Sequence, residues 1–168
     1  MDGSTYYVDF ENIKKQVNAE IEITNALNNF AAIVSEGLLK CNYIPGVIKL
    51  IGELFNLNKR LFVVSGSDEK ELIQVFRQRG IDHYFENIYG SPDNKIDNTK
   101  KVIKSNGRLS NGIFFGDSKA DYEAASQYKM DFILINGATE WFNGNRVIDT
   151  KYVYNNFNRI IWNDKYFY

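Results

Sequence analysis

Apolar positions recur at helical spacing in the first third of the chain, and then the period changes. Tyr6, Phe10, Ile13 and Val17 fall three or four residues apart, which predicts an amphipathic helix. A break at Glu20–Ile23 predicts its end. Thr24 is then placed to cap a second helix running to Lys40, with Ala26, Phe30, Ile33, Val34 and Leu38 on one face. Pro45-Gly46 opens a third, with Val47, Leu50, Ile51, Leu54 and Phe55 pointing inward. From Leu61 the pattern differs. Leu61–Val64 is an unbroken apolar run ending in Ser65-Gly66-Ser67-Asp68, the pattern of a buried parallel strand handing over to a helix. Asp68 with Glu71 predicts a capping box, and Leu72, Val75 and Phe76 an inner helical face up to Gly80. Ile88-Tyr89-Gly90 predicts a short strand, followed by a polar loop through Pro92 and a helix near Ile96–Lys104. Ile113–Phe115 is a strand running into Gly116-Asp117, Ala120–Lys129 a helix, and Phe132–Ile135 a further buried strand. Strands alternating with helices predict an α/β domain built on a mainly parallel sheet.

Composition narrows the field. At 168 residues and 44% apolar, the chain is one domain's worth of sequence with enough material for a core. A net charge of -1 supplies no basic field for a phosphate backbone, which argues against a nucleic-acid partner. No stretch is apolar enough for a membrane span, and the first residues lack the cationic and apolar segments of a signal peptide. The single Cys41 fits a reducing, cytoplasmic setting and reads as a small buried thiol. Aromatic residues bunch near the end, at Tyr152, Tyr154, Phe157, Trp162, Tyr166, Phe167 and Tyr168. A tail that apolar is expected to dock on the body or on a second subunit, so self-association through it is an open expectation. His83 and Trp141 with Phe142 read as packing residues, and Asp131 as a solvated strand edge.

In an open parallel sheet, functional groups collect beyond the carboxyl ends of the strands. Ser65 offers a hydroxyl there, beside the backbone N–H groups of Gly66 and Ser67, at a helix start that favours a phosphate oxygen. The same turn is also what a plain helix start looks like. Lys95, in Gly90-Ser91-Pro92-Asp93-Asn94-Lys95, puts a cation at a helix mouth, where it opposes the macrodipole unless an anion is near. A solvated surface lysine is the alternative. Gly116-Asp117-Ser118-Lys119-Ala120-Asp121 places two carboxylates four residues apart at a strand end, a donor set suited to Mg2+. Asp117 or Ser118 could equally be an N-cap.

Taken in order, a strand ending in Ser65, then Gly90-Ser91-Pro92 with Lys95, then a strand ending in Gly116-Asp117 with Asp121, resembles the second, third and fourth motifs of the haloacid dehalogenase-like (HAD) superfamily. The resemblance runs from about Pro45 through Gly137. The Phe62–Asp68, Tyr84–Lys95 and Phe114–Ala125 stretches favour its phosphoglucomutase-like branch. It implies a Rossmann-like, mainly parallel sheet with flanking helices, in residues 45–168, and a remnant of a helical cap in residues 1–44. It implies a phosphatase of a small phosphorylated metabolite, with Ser65 and Lys95 as catalytic groups and Ser65, Gly66, Ser67 and Lys95 holding the phosphoryl group. Asp117 and Asp121 would help hold the Mg2+ cofactor.

One motif has no match. The family attacks phosphorus with an aspartate at the end of a first strand, in an Asp-x-Asp-x-Thr or Val pattern. Met1-Asp2-Gly3-Ser4-Thr5 echoes only its tail. Tyr6-Tyr7-Val8-Asp9-Phe10-Glu11 offers Asp9 and Glu11, but helical spacing continues straight through them. The resemblance therefore implies a chain that begins inside the cap, is truncated relative to the family, and as written is inactive. The other reading is a non-catalytic phosphate- and metal-binding or interaction module. The family's first strand lies centrally, between the Ser65 and Asp117 strands. Without it those strands must pair directly, leave a gap, or accept a strand from elsewhere.

Overall fold

The computed structural model describes residues 10–105, 112–138 and 152–160. The chain separates into two compact units, Met1–Cys41 and Asn42–Tyr168. The first contains one helix, α1 (Phe10–Lys40), of 31 residues. The predicted break at Glu20–Ile23 does not occur, and Thr24 is not a cap. Its hydroxyl donates to the Glu20 carbonyl four residues back (2.8 Å), so the side chain is satisfied inside a continuous helix. Cys41, expected to be buried, is exposed just past the helix end, its Sγ 3.2 Å from the Leu38 carbonyl.

The second unit alternates strands and helices: α2 (Val47–Asn56), β1 (Phe62–Asp68), α3 (Glu69–Gln78), β2 (Asn87–Ser91), α4 (Lys95–Ser105), β3 (Ile113–Gly116), α5 (Lys119–Gln127), β4 (Asp131–Ile135) and β5 (Val153–Tyr154). Every strand pairing is parallel. This is the α/β, Rossmann-like architecture that the alternation predicts. Gly46, in the left-handed region at φ 86°, precedes α2, and Gly80, at φ 67°, lies beyond the end of α3. Asp68 caps α3 as expected, accepting the Glu71 N–H at 3.0 Å. Arg60 and Glu86 form a bidentate pair, with bonds of 2.5 and 2.6 Å, where β1 and β2 begin.

Leu50 and Leu54 of α2 pack with Ile133, Ile135 and Ile160 into one core cluster, and Tyr154 and Phe157 of the tail lie against it. Those two aromatic positions therefore dock on the body. Trp162, Tyr166, Phe167 and Tyr168 lie outside the described residues, as do Trp141 and Phe142. Phe55, predicted to point inward, is 43% exposed and instead meets the rings of His83 and Tyr84 edge-on. β5 was not legible in the sequence: two residues carry too short a pattern, and a pairing with β4 defines them.

Among the described residues β1 pairs with β2, and β3-β4-β5 form a separate sheet. Of the three outcomes open to the Ser65 and Asp117 strands, the described residues leave a gap. Burial records it. β4, flanked on both sides, is buried from Phe132 to Ile135, whereas Phe62–Val64 of β1 and Ile113–Phe115 of β3 are only half-buried. The two strands border a cavity of 490 Å³, with Leu54 of α2 and Val102 of α4 also in its lining.

An isosteric pair of substitutions separates packed core from cavity wall. Ile135→Val should lower unfolding free energy by about 1 kcal/mol, within the usual range for this deletion, and Ile113→Val by clearly less. Urea unfolding midpoints check the difference. Equal losses would mean that β3 is packed as tightly as β4.

Candidate active site

The chemistry gathers at the carboxyl end of β3 and the first turns of α4 and α5. Ser118 is the N-cap of α5 and accepts from the Asp121 N–H (3.3 Å), while the Asp121 carboxylate returns to the Ser118 N–H (3.0 Å). This reciprocal capping box turns Asp121 back toward the strand end. There its Oδ2 also receives the Ser118 hydroxyl (2.6 Å) and the Asp117 N–H (3.3 Å). Glycine at 116 makes room. A Cβ there would sit 2.3 Å from the Asp121 Cβ, so any side chain would push the carboxylate away.

Lys95 arrives from the first turn of α4. Its Nζ donates to Asp121 Oδ1 at 2.6 Å and to Ser118 Oγ at 3.3 Å. The pair is largely out of solvent, with the Asp121 side chain 5% and the Lys95 side chain 21% exposed. The cation that local sequence left at a helix mouth thus has its anion, from a different element. The loop delivering it is fixed by a residue that sequence reading passed over. Asn98, fully buried, donates to the carbonyls of Gly90 (2.8 Å) and Asp93 (3.2 Å) and accepts from Lys101 (2.9 Å). An amide one turn into a helix was its only sequence signal.

Asp117 occupies the junction after β3. Burial first, and repulsion from Asp121 second, push its carboxyl above the usual aspartate range, against the pull of Lys95. Both oxygens of Asp121 are already engaged, one by Lys95 and the other by Ser118 and the Asp117 amide. Asp121 is therefore the carboxylate that orients Lys95, with Asp117 beside it at the same strand end. The donor set suits Mg2+, which binds one or two carboxylates and keeps several waters. No group of three or more His, Cys, Asp or Glu side chains of metal-site geometry exists among the described residues.

Ser65 lies in the outer half of β1. Its hydroxyl accepts the Ser67 N–H at 3.1 Å, so that amide, expected to face an anion, is used locally. Strand geometry continues through Ser65, Gly66 and Ser67 to Asp68, and α3 starts at Glu69, directly after its expected cap. The space beside Gly66 is open. β1 is tied to the Lys95 loop through Gly90. A Cβ on Gly90 would meet the Ser67 carbonyl at 2.5 Å, and its N–H donates to the Glu69 carboxylate at 3.0 Å. The resolved bonds thus join Lys95, Ser118, Asp121 and the Asp117 amide into one cluster, while the hydrogen bond of Ser65 stays within its own turn. Asp9 lies outside the described residues, and Glu11 falls within α1.

Residues 3–135 match the family model of the haloacid dehalogenase-like hydrolases, and the chain belongs to that family. Among solved structures it is similar to a candidate phosphatase of Clostridium difficile (TM-score 0.65, 19% identity, covering 89% of this chain and 68% of that one). A haloacid dehalogenase-like hydrolase of Streptococcus pneumoniae gives a TM-score of 0.62 at 20% identity over 84% of this chain and 66% of that one. A candidate HAD-hydrolase of Bacillus subtilis, solved with magnesium bound, gives 0.61 at 19% identity over 77% and 56%. At these identities the likeness shows the fold. The chain spans roughly two thirds of the length of the first two. No curated protein sequence matches it. Among the described residues no helix is long and apolar enough to cross a membrane.

Two outcomes follow. Asp121→Asn leaves Lys95 facing a neutral group in a site it cannot leave cheaply, and should cost about 3 kcal/mol of stability, measured by chemical denaturation. Asp117 has a folded-state pKa above its unfolded one. Its contribution is therefore present at low pH and lost as pH rises through the folded value. Asp117→Asn should accordingly raise the melting temperature at pH 7 and raise it less at pH 4. A uniform shift across that window would contradict the assignment.

Proposed function

We propose that this chain is a HAD-type phosphatase domain that binds a small phosphomonoester together with Mg2+, and that it carries the binding half of the phosphatase mechanism. The observation behind this reading is the Lys95–Asp121 pair at 2.6 Å beside Asp117, whose carboxyl is raised by burial and by its acidic neighbour. A largely buried lysine–carboxylate pair with a second, partly buried carboxylate beside it forms a locus that gains from both an anion and a dication. Phosphoryl transfer relies on such placed charge around the equatorial oxygens. In this reading Lys95 and the Ser65 hydroxyl hold the phosphoryl oxygens, with the Gly66 amide facing open space beside them. Asp117 contacts the metal, and Asp121 positions Lys95 while sharing the metal's field. The bound ion would neutralise charge on the phosphate.

The attacking carboxylate of the family has no counterpart among the described residues. The phosphoglucomutase-like branch and the cap-remnant role of residues 1–44 belong to the same proposal. They rest on the Phe62–Asp68, Tyr84–Lys95 and Phe114–Ala125 stretches and on the long N-terminal helix.

Calorimetric titration tests the reading. Inorganic phosphate should tighten Mg2+ binding, Asp117→Asn should weaken Mg2+ about tenfold or more, and Lys95→Met should weaken phosphate by a similar factor, on the order of 1.4 kcal/mol each. Hydrolysis of p-nitrophenyl phosphate should stay at background. Turnover lost in Asp9→Asn would instead make Asp9 the nucleophile, and titrations without heat for either ion would end the proposal.

A further inference from the structure

Three polar side chains are deeply buried among the described residues, Asn98, Thr99 and Asp121, and all three spend hydrogen bonds on the segment that carries Lys95. Asp121 takes the ammonium itself, Thr99 donates to the Lys95 carbonyl at 2.7 Å, and Asn98 binds the loop that leads into it. The threonine bond is the ordinary backward bond of a helix. The asparagine bonds are different. They reach back eight residues to the Gly90 carbonyl near the end of β2 and five to the Asp93 carbonyl, so both sides of the Ser91-Pro92 step hang from one nitrogen.

An amide NH2 has two donors, and both are used here. The oxygen of the same amide accepts from Lys101 at 2.9 Å, and Lys101 pairs in turn with Asp93 at 2.5 Å. That ammonium fixes which way the amide faces, because a cation attracts the oxygen and repels the NH2. Burying an amide costs free energy unless its polar atoms find partners. Packing does not call for one at this position. Val102, one turn further along α4, buries hydrocarbon on the same side of the helix. What Asn98 supplies is a fixed path for residues 91–94, and the residue at the end of that path is Lys95. Its ammonium stands 2.6 Å from Asp121 on a long flexible stem, so a small shift of the backbone moves the charge off its mark.

We infer that Asn98 is a positioning residue for Lys95: its amide fixes the β2–α4 loop, Lys101 and Asp93 fix the amide, and the lysine charge stands where this chain of bonds puts it. Asn98 acts through Lys95. Its effect on phosphate rests on the role proposed for that lysine, whereas its effect on the lysine itself does not.

Phosphate affinity, measured by calorimetry on the full chain, should fall about tenfold in Asn98→Leu. On a Lys95→Met background the same substitution should cost less than about twofold more, because the group it acts through is gone. A merely structural role would give the full loss on both backgrounds. Acylation of Lys95 by a small reagent at limiting concentration, followed by peptide mass spectrometry, reads the lysine without any ligand. Its rate should rise about tenfold in Asn98→Leu as the pair with Asp121 opens. It should stay within about twofold of wild type in Val102→Ala, which weakens the same helix and leaves the loop bonds in place. Where Asn98→Leu does not fold, Lys101→Met, a change at a half-exposed side chain, should raise labelling about threefold. Equal labelling of wild type and the loop variants would overturn the inference. So would equal labelling of Asn98→Leu and Val102→Ala, or a fully additive loss of phosphate affinity. If the wild type takes no phosphate, the phosphate reading fails and labelling alone decides.

Discussion

The carboxylate of Asp121 holds the functional end of this domain together. One oxygen takes the ammonium of Lys95 from α4. The other takes the Ser118 hydroxyl and two backbone amides from the turn between β3 and α5. The first turn of α4 is thereby joined to the β3–α5 junction, 26 positions further along, at a group that is 5% exposed. Charge-assisted bonds of this kind are strong only where water is kept away. Burial by the surrounding α/β layers is thus what gives the site its rigidity. Gly116 and the capping box are the local means: one clears space for the side chain, the other aims it.

The same layers show how burial follows strand pairing among the described residues. Strands in such sheets are stabilised from both sides by ladders and on both faces by helices. β4 has all of these and is the best buried strand in the molecule. Among the described residues β1 and β3 have helices nearby but one ladder each, and their side chains remain half-exposed around the cavity. Leu50 and Leu54 pack with Ile133 and Ile135, and the Asn98 amide fixes the start of α4 to the Gly90 and Asp93 carbonyls.

Much of this was legible in the residues, for a physical reason. Continuous apolar runs at Leu61–Val64, Ile113–Phe115 and Phe132–Ile135 can only be buried strands or buried helix turns, and their lengths favour strands. The glycine and serine residues that follow mark where each hands over. The pairing of Lys95 with Asp121 was visible only as two separate oddities, since they stand 26 positions apart with a strand between them. Thr24 misled because a threonine can bond backward within a helix as well as cap one. Phe55 misled because helical periodicity does not say where the covering layer stops, and Cys41 because the helix that carries it ends at solvent. β5, Asn98 and the tie between Gly90 and Glu69 depend on neighbours brought together by topology, and no window of sequence contains them.

Gly90 has a wider consequence than its size suggests. Its amide is spent on Glu69, the first residue of α3, and its carbonyl on Asn98 of α4. A single residue thus links the serine-bearing turn with the lysine-bearing one. Any tilt of α3 at Glu69 is therefore transmitted to the backbone that aims Lys95, and the two turns are coupled through one peptide unit.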